Sequence, residues 1–147
     1  MPFHQVDISQ KPVVYREAVA TGRIKLKRTT IELIRKKKLE KGDAVSLAEV
    51  AAISGSKKTP DLLALCHPLR IEEVQPSVKL GDVWVEVTVK VATHEKTGVE
   101  MEALTAVSAA LLNIWDVTKA YEKDPEGQYP GTAIESIRVV RKVKRAA

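Results

Sequence analysis

A change of hydrophobic period near residue 70 most constrains the fold of this chain. Beyond it, valines and polar residues alternate strictly over residues 83–92. Side chains leave a β-strand on opposite sides in turn, so this alternation predicts a strand with one apolar face. Gly81-Asp82 separates this strand from a second extended segment, residues 70–80, and suits a tight turn. We therefore predict an antiparallel hairpin that packs one face against a core.

Before the hairpin, the pattern predicts a long strand over residues 13–27, followed by a first helix. Thr29-Thr30-Ile31-Glu32 has the spacing of a capping box, in which a hydroxyl and a carboxylate satisfy the first free amides. The helix is predicted over residues 30–39, and Gly42 is expected to end it with a left-handed backbone.

Two further helices are predicted before residue 70. Asp43 or Ser46 can cap the first of them, and Gly55 is expected to close it. Thr59-Pro60-Asp61 has the order of a helix start, with a hydroxyl cap, an early proline and an acid in the first turn. Pro68 forbids a long continuation, so His67 is expected just beyond the end of this helix.

The longest helix is predicted over residues 99–123, and a last strand over residues 134–143. The expected core side of this helix carries large apolar residues: Leu104, Val107, Leu111, Ile114, Trp115 and Tyr121. The opposite side is mostly small and carries Glu102 and Asp116, so another backbone or a ligand can approach it closely. Helices clustered around a mainly antiparallel sheet define an α+β domain.

Composition restricts the class of protein. The 147 residues favour one domain, with 44% hydrophobic and 29% charged residues, as in ordinary globular proteins. The single cysteine, Cys66, cannot form an internal disulfide, which fits a reducing compartment. No apolar stretch approaches a membrane span, and the first residues do not have the pattern of a secretory signal. We expect a cytoplasmic protein without membrane contact.

The net charge of +5 is concentrated in basic runs near residues 23–41 and 138–145. These runs could attract a nucleotide or another polyanion, and a solvated surface explains them equally well. Ligand spacing for a metal is absent among His4, His67 and His94, so we predict no metal site. The sequence also lacks a glycine-rich phosphate loop.

Several side chains are candidates for chemistry. His67 can exchange protons near neutral pH or merely cap a helix end, and the two roles are equally open. Cys66 is a possible nucleophile, although a small buried hydrophobe is its commoner role. Asp116 has poor helix propensity in mid-helix, and general acid or base work is one explanation for it. Lys41 can bind phosphate as a point charge, although a solvated lysine is commoner.

Taken together, several runs resemble the MoaC family, the cyclic pyranopterin monophosphate synthases of molybdenum-cofactor biosynthesis. They occur in the family's order along nearly the whole chain. The runs are Val6-Asp7-Ile8-Ser9, Val14-Tyr15-Arg16-Glu17-Ala18, Lys41-Gly42-Asp43-Ala44, Lys58-Thr59-Pro60-Asp61-Leu62, Leu65-Cys66-His67-Pro68-Leu69, residues 96–106, and Ile114-Trp115-Asp116-Val117-Thr118-Lys119-Ala120.

The resemblance implies a fold, an assembly and a reaction. It implies one ferredoxin-like α+β domain, with an antiparallel sheet and helices on one of its faces. It also implies a homohexamer, a trimer of dimers with sites at subunit interfaces. The implied substrate is 3′,8-cyclo-7,8-dihydro-GTP, which is converted to cyclic pyranopterin monophosphate with release of pyrophosphate. No redox cofactor is required for that step, and we expect no cofactor and no nucleic-acid partner.

The resemblance also implies roles for individual residues. Asp116, Lys119 and Lys41 correspond to catalytic positions, with Asp116 as acid or base. Positions that contact substrate are Leu65, Cys66, His67, Met101, Glu102, Glu100, Arg16 and Lys142. Many relatives carry a glycine-rich tail with Lys and Ser after the last strand. Here residues 143–147 are basic instead, and Lys142 is the nearest counterpart.

Two other classes of function remain open from the residues alone. One is a basic α+β module that binds nucleic acid or nucleotides without chemistry. It predicts broad, salt-sensitive binding, although the scarcity of aromatic residues, 4%, disfavours base stacking. The other is a scaffold for an assembly, which leaves Asp116, His67 and Glu102 without a purpose.

Overall fold

The computed structural model describes residues 2–146. It contains four strands and four helices within that range. In chain order they are β1 (Val14–Lys25), α1 (Arg28–Arg35), α2 (Ala44–Lys57), α3 (Thr59–Leu62), β2 (Glu73–Leu80), β3 (Trp84–Glu95), α4 (Glu100–Glu122) and β4 (Ala133–Arg145). The predicted hairpin, the long first strand and the long last helix are therefore all present.

The four strands form one antiparallel sheet in the order β2-β3-β1-β4. The central strands β1 and β3 pair along their whole lengths, from Val14 opposite Glu95 to Lys25 opposite Trp84. Helices connect β1 to β2 and β3 to β4, which is the ferredoxin-like arrangement. The predicted fold class, an α+β domain of this kind, is confirmed.

The core lies between the sheet and helices α2 and α4. The inward valines of β3, Val85, Val87, Val89 and Val91, are almost fully buried, as the alternation predicts. The outer face of the sheet is polar and carries paired side chains, such as Arg23 with Glu86 at 3.0 Å. Both large helices thus cover one face and leave the other to polar groups.

The first helix differs from its prediction at both ends. It begins at Arg28 without a side-chain cap, so the predicted capping box at residues 29–32 is wrong. Its first turn instead meets Glu122 of α4, whose carboxylate accepts hydrogen bonds from the Lys27 amide at 3.0 Å and from the Thr30 hydroxyl. The helix ends at Arg35, and Lys37 rather than Gly42 takes the left-handed conformation there, with φ 56°. Glu122, which is distant in the sequence, therefore takes the role of a local side-chain cap at the start of this helix.

The small side of α4 faces another part of the same chain. Helix α2 packs across it and continues through Gly55, which had been expected to end that helix. A β-carbon at Gly55 would lie 2.6 Å from the β-carbon of Ala109, so glycine permits the close approach. Burial of Ala106 and Glu102 places part of the predicted outer stripe in the interior.

No helix within residues 2–146 has both the length and the apolar character that a membrane crossing requires.

Candidate active site

A cavity of about 740 Å³ lies where the loop after α3 meets the start of α4. The loop supplies part of its wall and the first turn of α4 supplies another part. Five predicted substrate-contacting residues line it: Leu65, Cys66, His67, Glu100 and Met101. Their convergence joins two segments more than 30 residues apart in the sequence. We call these residues, together with Glu102 and Lys142, the Glu102 cluster.

Glu102 is the buried carboxylate of this cluster, with only 1% of its surface exposed. Its Oε2 lies 3.9 Å from the Cys66 sulfur, and its Oε1 has no hydrogen-bond partner within residues 2–146. Burial raises the pKa of Glu102, and the nearby charge of Glu100 raises it further. Burial therefore favours the protonated form of Glu102, and its Oε1 stays buried without a partner in the described residues.

The thiol of Cys66 shares this environment. Burial raises its pKa, and the Glu102 carboxylate beside it adds to the rise. A thiol is nucleophilic as its thiolate, which these surroundings disfavour. These surroundings disfavour the nucleophilic role and favour the role of a small, partly buried side chain.

Two basic residues contact segments that form the cavity wall, without lining the cavity themselves. Lys142 of β4 lies 3.1 Å from Glu100 Oε1, so it partly balances the acidic first turn of α4. Arg16 of β1 is buried and donates to the carbonyls of Glu95 and Lys96, at 3.4 and 3.1 Å. Its guanidinium thus supports the backbone just before the cavity wall at Thr97.

His67 contacts the N-terminal segment rather than a helix end. Helix α3 ends at Leu62, five residues earlier, so the expected position just beyond a helix terminus is wrong. The Nε2 atom of His67 lies 2.7 Å from the carbonyl oxygen of Val6. A carbonyl only accepts, so Nε2 carries a hydrogen and the neutral ring leaves Nδ1 as its proton acceptor.

Sequence reasoning missed the contribution of the N-terminal segment to the cavity. Val6 and Ile8 add apolar wall, and His4 and Lys11 add basic groups. A segment without regular structure carries no periodicity that would place it. The only signal was the family-like run at residues 6–9, which says nothing about its position.

A second cluster lies near the other end of α4. Lys41, from the loop between α1 and α2, places its Nζ 3.4 Å from Asp116 Oδ1, and Lys119 Nζ lies 3.1 Å from the same oxygen. The hydrogen bond from Lys119 and the charge of Lys41 lower the pKa of Asp116. All three side chains are well exposed. We call these three residues the Asp116 cluster, and they are the predicted catalytic set.

The two clusters are separate within one chain. Asp116 follows Glu102 by 14 residues on the same continuous helix. At about 1.5 Å per residue, their backbones are about 21 Å apart. The predicted site residues are therefore divided between two places in one chain.

Comparisons with known proteins identify the family of this chain. Residues 5–144 match the sequence profile of the MoaC family. The chain belongs to this family. Two relatives named probable cyclic pyranopterin monophosphate synthase are those of Sulfurisphaera tokodaii, 54% identical, and Thermococcus kodakarensis, 55% identical, each over 139 residues. These alignments cover 95% of this chain and 92% and 89% of the relatives. A similarly named protein of Aeropyrum pernix is 54% identical over 140 residues, or 95% of this chain and 94% of its own.

Membership of the MoaC family confirms the resemblance drawn from the sequence runs. The family similarity spans both clusters, since residues 41, 66, 102, 116 and 142 all fall within 5–144.

Proposed function

We propose that this protein is a cyclic pyranopterin monophosphate synthase, a lyase of molybdenum-cofactor biosynthesis. Its substrate is 3′,8-cyclo-7,8-dihydro-GTP, and its products are cyclic pyranopterin monophosphate and pyrophosphate. The observation that carries the proposal is the similarity over 95% of the chain to proteins named for this activity. The cytoplasm is the compartment in which we expect it to act.

The Asp116 cluster supports the proton transfers that such a rearrangement needs. Asp116 is held as a carboxylate between two ammonium groups, so it can accept a proton, and Lys119 or Lys41 can donate one. The two lysines also offset negative charge as pyrophosphate leaves, which is where charge builds in the transition state.

The Glu102 cluster supports recognition of the ring system. A cavity of about 740 Å³ is of the size that binds small ligands. Its wall is largely apolar, and a few polar groups, His67, Glu100 and the thiol of Cys66, converge on it. Glu102 lines a separate recess with Pro68 and Leu69 and lies 3.9 Å from the Cys66 sulfur; in its protonated form, which burial favours, it can donate a hydrogen bond to a ring nitrogen or carbonyl.

We further propose that two copies of the chain complete each active site, within a homohexamer built as a trimer of dimers. A proton-transferring group must come within about 3 Å of the atom it serves. Clusters about 21 Å apart on one helix cannot both reach the same reacting atoms. A second copy can bring its Asp116 cluster to the Glu102 cluster of the first.

Exposed apolar side chains between the clusters support this arrangement. Leu112 of α4 is 61% exposed, and Ile137 and Val139 of the edge strand β4 are 39% and 37% exposed. Next to Asp116, Leu112, Trp115 and Ile134 line a further recess of about 450 Å³. Apolar surface of this kind is typical of the buried parts of interfaces.

The direct test is to incubate the purified protein with 3′,8-cyclo-7,8-dihydro-GTP under anaerobic conditions. Pyrophosphate and the pterin product are then quantified. The proposal predicts equal amounts of both products, and loss of both in Asp116→Asn and Lys41→Ala variants. Tight binding of the substrate without turnover would contradict it and would favour a nucleotide-binding module.

A further inference from the structure

We propose that the hydroxyl of Tyr121 positions Lys41 beside Asp116 by holding the loop between α1 and α2. This inference rests on the proposed function for its catalytic consequence, whereas its geometric part stands independently. Tyr121 is neither a member of the Asp116 cluster nor in contact with Asp116 through any hydrogen bond within residues 2–146.

The loop that carries Lys41 needs an anchor. Residues 36–43 contain no helix or strand. Two of them, Lys37 at φ 56° and Gly42 at φ 119°, adopt left-handed backbone conformations. Lys41 precedes the second of these positions, and its side chain is 51% exposed. The long aliphatic stem of an exposed lysine has many rotamers, so its position depends on where the backbone is held.

Tyr121 supplies that anchor from α4. Its hydroxyl oxygen accepts a hydrogen bond from the backbone amide of Glu40 at 2.8 Å, one residue before Lys41. The ring packs partly buried against the core, so the hydroxyl is carried by a rigid support. Helix α4 therefore carries Asp116 and, five residues later, Tyr121. The hydroxyl of Tyr121 holds Glu40, which precedes Lys41, the lysine partner of Asp116.

The neighbouring residue of α4 fixes the start of α1. The buried carboxylate of Glu122 accepts from the Lys27 amide and the Thr30 hydroxyl, and its other oxygen accepts from Thr132 at 2.6 Å. Glu122 and Tyr121 thus hold the segment before and the segment after α1 against one end of α4. In this arrangement the position of Lys41 is set relative to α4, where Asp116 also lies.

Loss of the anchor has an electrostatic consequence at Asp116. The charged groups that face Asp116 are Lys119 on its own helix and Lys41 on the loop. Glu40 and Lys123 line the same recess, of about 360 Å³. If the loop moves away, Asp116 retains Lys119 but loses Lys41. Since both cations favour the carboxylate, the pKa of Asp116 then rises.

The test compares Tyr121→Phe with Tyr129→Phe. Both changes remove one phenolic oxygen from a half-buried ring near the end of α4, and the ring of Tyr129 packs on Trp115 at 5.2 Å. We expect Y121F to raise the carboxyl pKa of Asp116, measured by ¹³C NMR titration, and Y129F to leave it unchanged. In turnover, Y121F should lower kcat about threefold to tenfold, the range for loss of one hydrogen bond, with KM nearly unchanged.

A double variant separates positioning from a structural role. In a Lys41→Ala background, Y121F should change the pKa of Asp116 no further, because the residue it positions is gone. Equal pKa values for Asp116 in Y121F, Y129F and the parent protein would overturn the inference. A lowered melting temperature without that pKa change would overturn it as well.

The two proposals fail in different ways. If the parent protein turns over no substrate, the proposed function fails, and the NMR titration still decides whether Tyr121 positions Lys41. If turnover is normal and Y121F matches Y129F in both measurements, only the positioning role fails.

Discussion

One helix carries two carboxylates that the protein treats in opposite ways. Asp116 has a side chain that is 56% exposed and two lysine ammonium groups within 3.4 Å. Glu102 is 1% exposed, has no cation within hydrogen-bond distance in residues 2–146, and lies near a second acid, Glu100. The pKa is lowered at Asp116 and raised at Glu102. The surroundings thus favour the charged form of this chemical group in one region and disfavour it in the other.

The surroundings of each carboxyl group, rather than the residue type, therefore distinguish the proposed roles of Asp116 and Glu102. A carboxylate beside ammonium groups is a base with proton donors next to it. A buried carboxylic acid without a cation is a neutral hydrogen-bond donor. The contrast also agrees with an active site shared between two chains. An exposed carboxylate beside cations and a buried carboxyl group without them are easier to build 14 residues apart than side by side.

The largest expected effect is at the exposed carboxylate. Asp116→Asn keeps the shape but removes the proton-accepting oxygen, so we expect turnover to fall at least about 100-fold, the lower range for acid–base groups. The fold should tolerate the change, since Asp116 is exposed, and unfolding free energy should change by less than about 0.5 kcal/mol. Steady-state kinetics and urea unfolding measure the two quantities.

The matched control for that change is Asp82→Asn. Asp82 is also exposed and also faces a cation, Arg28 at 3.6 Å, but it lies in the turn before β3, outside both clusters. It should retain parental turnover. Full turnover in the Asp116→Asn variant would exclude Asp116 from the mechanism. It would also contradict the proposed difference in role between the two clusters.

An intermediate effect is expected on the pH dependence of stability at the buried carboxylate. The folded-state pKa of Glu102 lies above its ordinary value of 4.5. Between these two values the folded protein binds more protons than the unfolded chain, so this group makes stability fall as pH rises. Glu102→Gln cannot ionise. Relative to the parent, it should become progressively more stable as pH rises above 4.5, which measurements between about pH 4 and pH 8 can follow.

Urea unfolding at several pH values between those limits measures this difference. Glu126→Gln, an exposed change in the loop before β4, serves as the control and should follow the parental curve. At Asp116 the sign is reversed, because a lowered pKa adds stability that is lost as pH falls, and exposure keeps that contribution small. A constant offset between Glu102→Gln and the parent across the pH range would mean that Glu102 is not desolvated in solution.

The smallest effect is expected at Cys66. Because burial and the Glu102 carboxylate raise its pKa, little thiolate is present near neutral pH. Cys66→Ala should therefore keep turnover within about threefold of the parent, as expected for a contact that is not a nucleophile. Alkylation of the parent thiol by iodoacetamide should be slower than that of free cysteine. Loss of all turnover in Cys66→Ala would restore the nucleophilic interpretation.

The sheet could be predicted from the sequence because the signals for its strands and turn are local. The period-two valines of β3 and the Gly81-Asp82 turn are local signals, and both appear where expected. The start of α1 was not predictable in this way. The Lys27 amide just before it and the Thr30 hydroxyl in its first turn bond to Glu122, more than 90 residues away, and no local pattern records such a partner.

The candidate site likewise has some residues that local sequence patterns predict and others that they do not. The residues at 65–67 and 100–102 stand out as runs, and the structure brings residues 65–67, Glu100 and Met101 together around one cavity, with Glu102 in contact with Cys66 behind it. The small stripe on α4 was misleading, because Ala109 accommodates α2 of the same chain at Gly55. Tyr121 could not have been selected, since its hydroxyl matters only through the distant amide of Glu40.

The central claim is that an Asp116 cluster and a Glu102 cluster from two copies form one catalytic site. The most direct measurement co-expresses Asp116→Asn and Glu102→Leu chains with different affinity tags, isolates assemblies that carry both tags, and assays pyrophosphate release; leucine is similar in size to Glu102 but cannot donate a hydrogen bond. If each site takes one cluster from each copy, about a quarter of randomly assembled sites carry both native residues, and activity should recover to about that fraction. Activity no higher than that of the two variants measured separately would contradict the shared site.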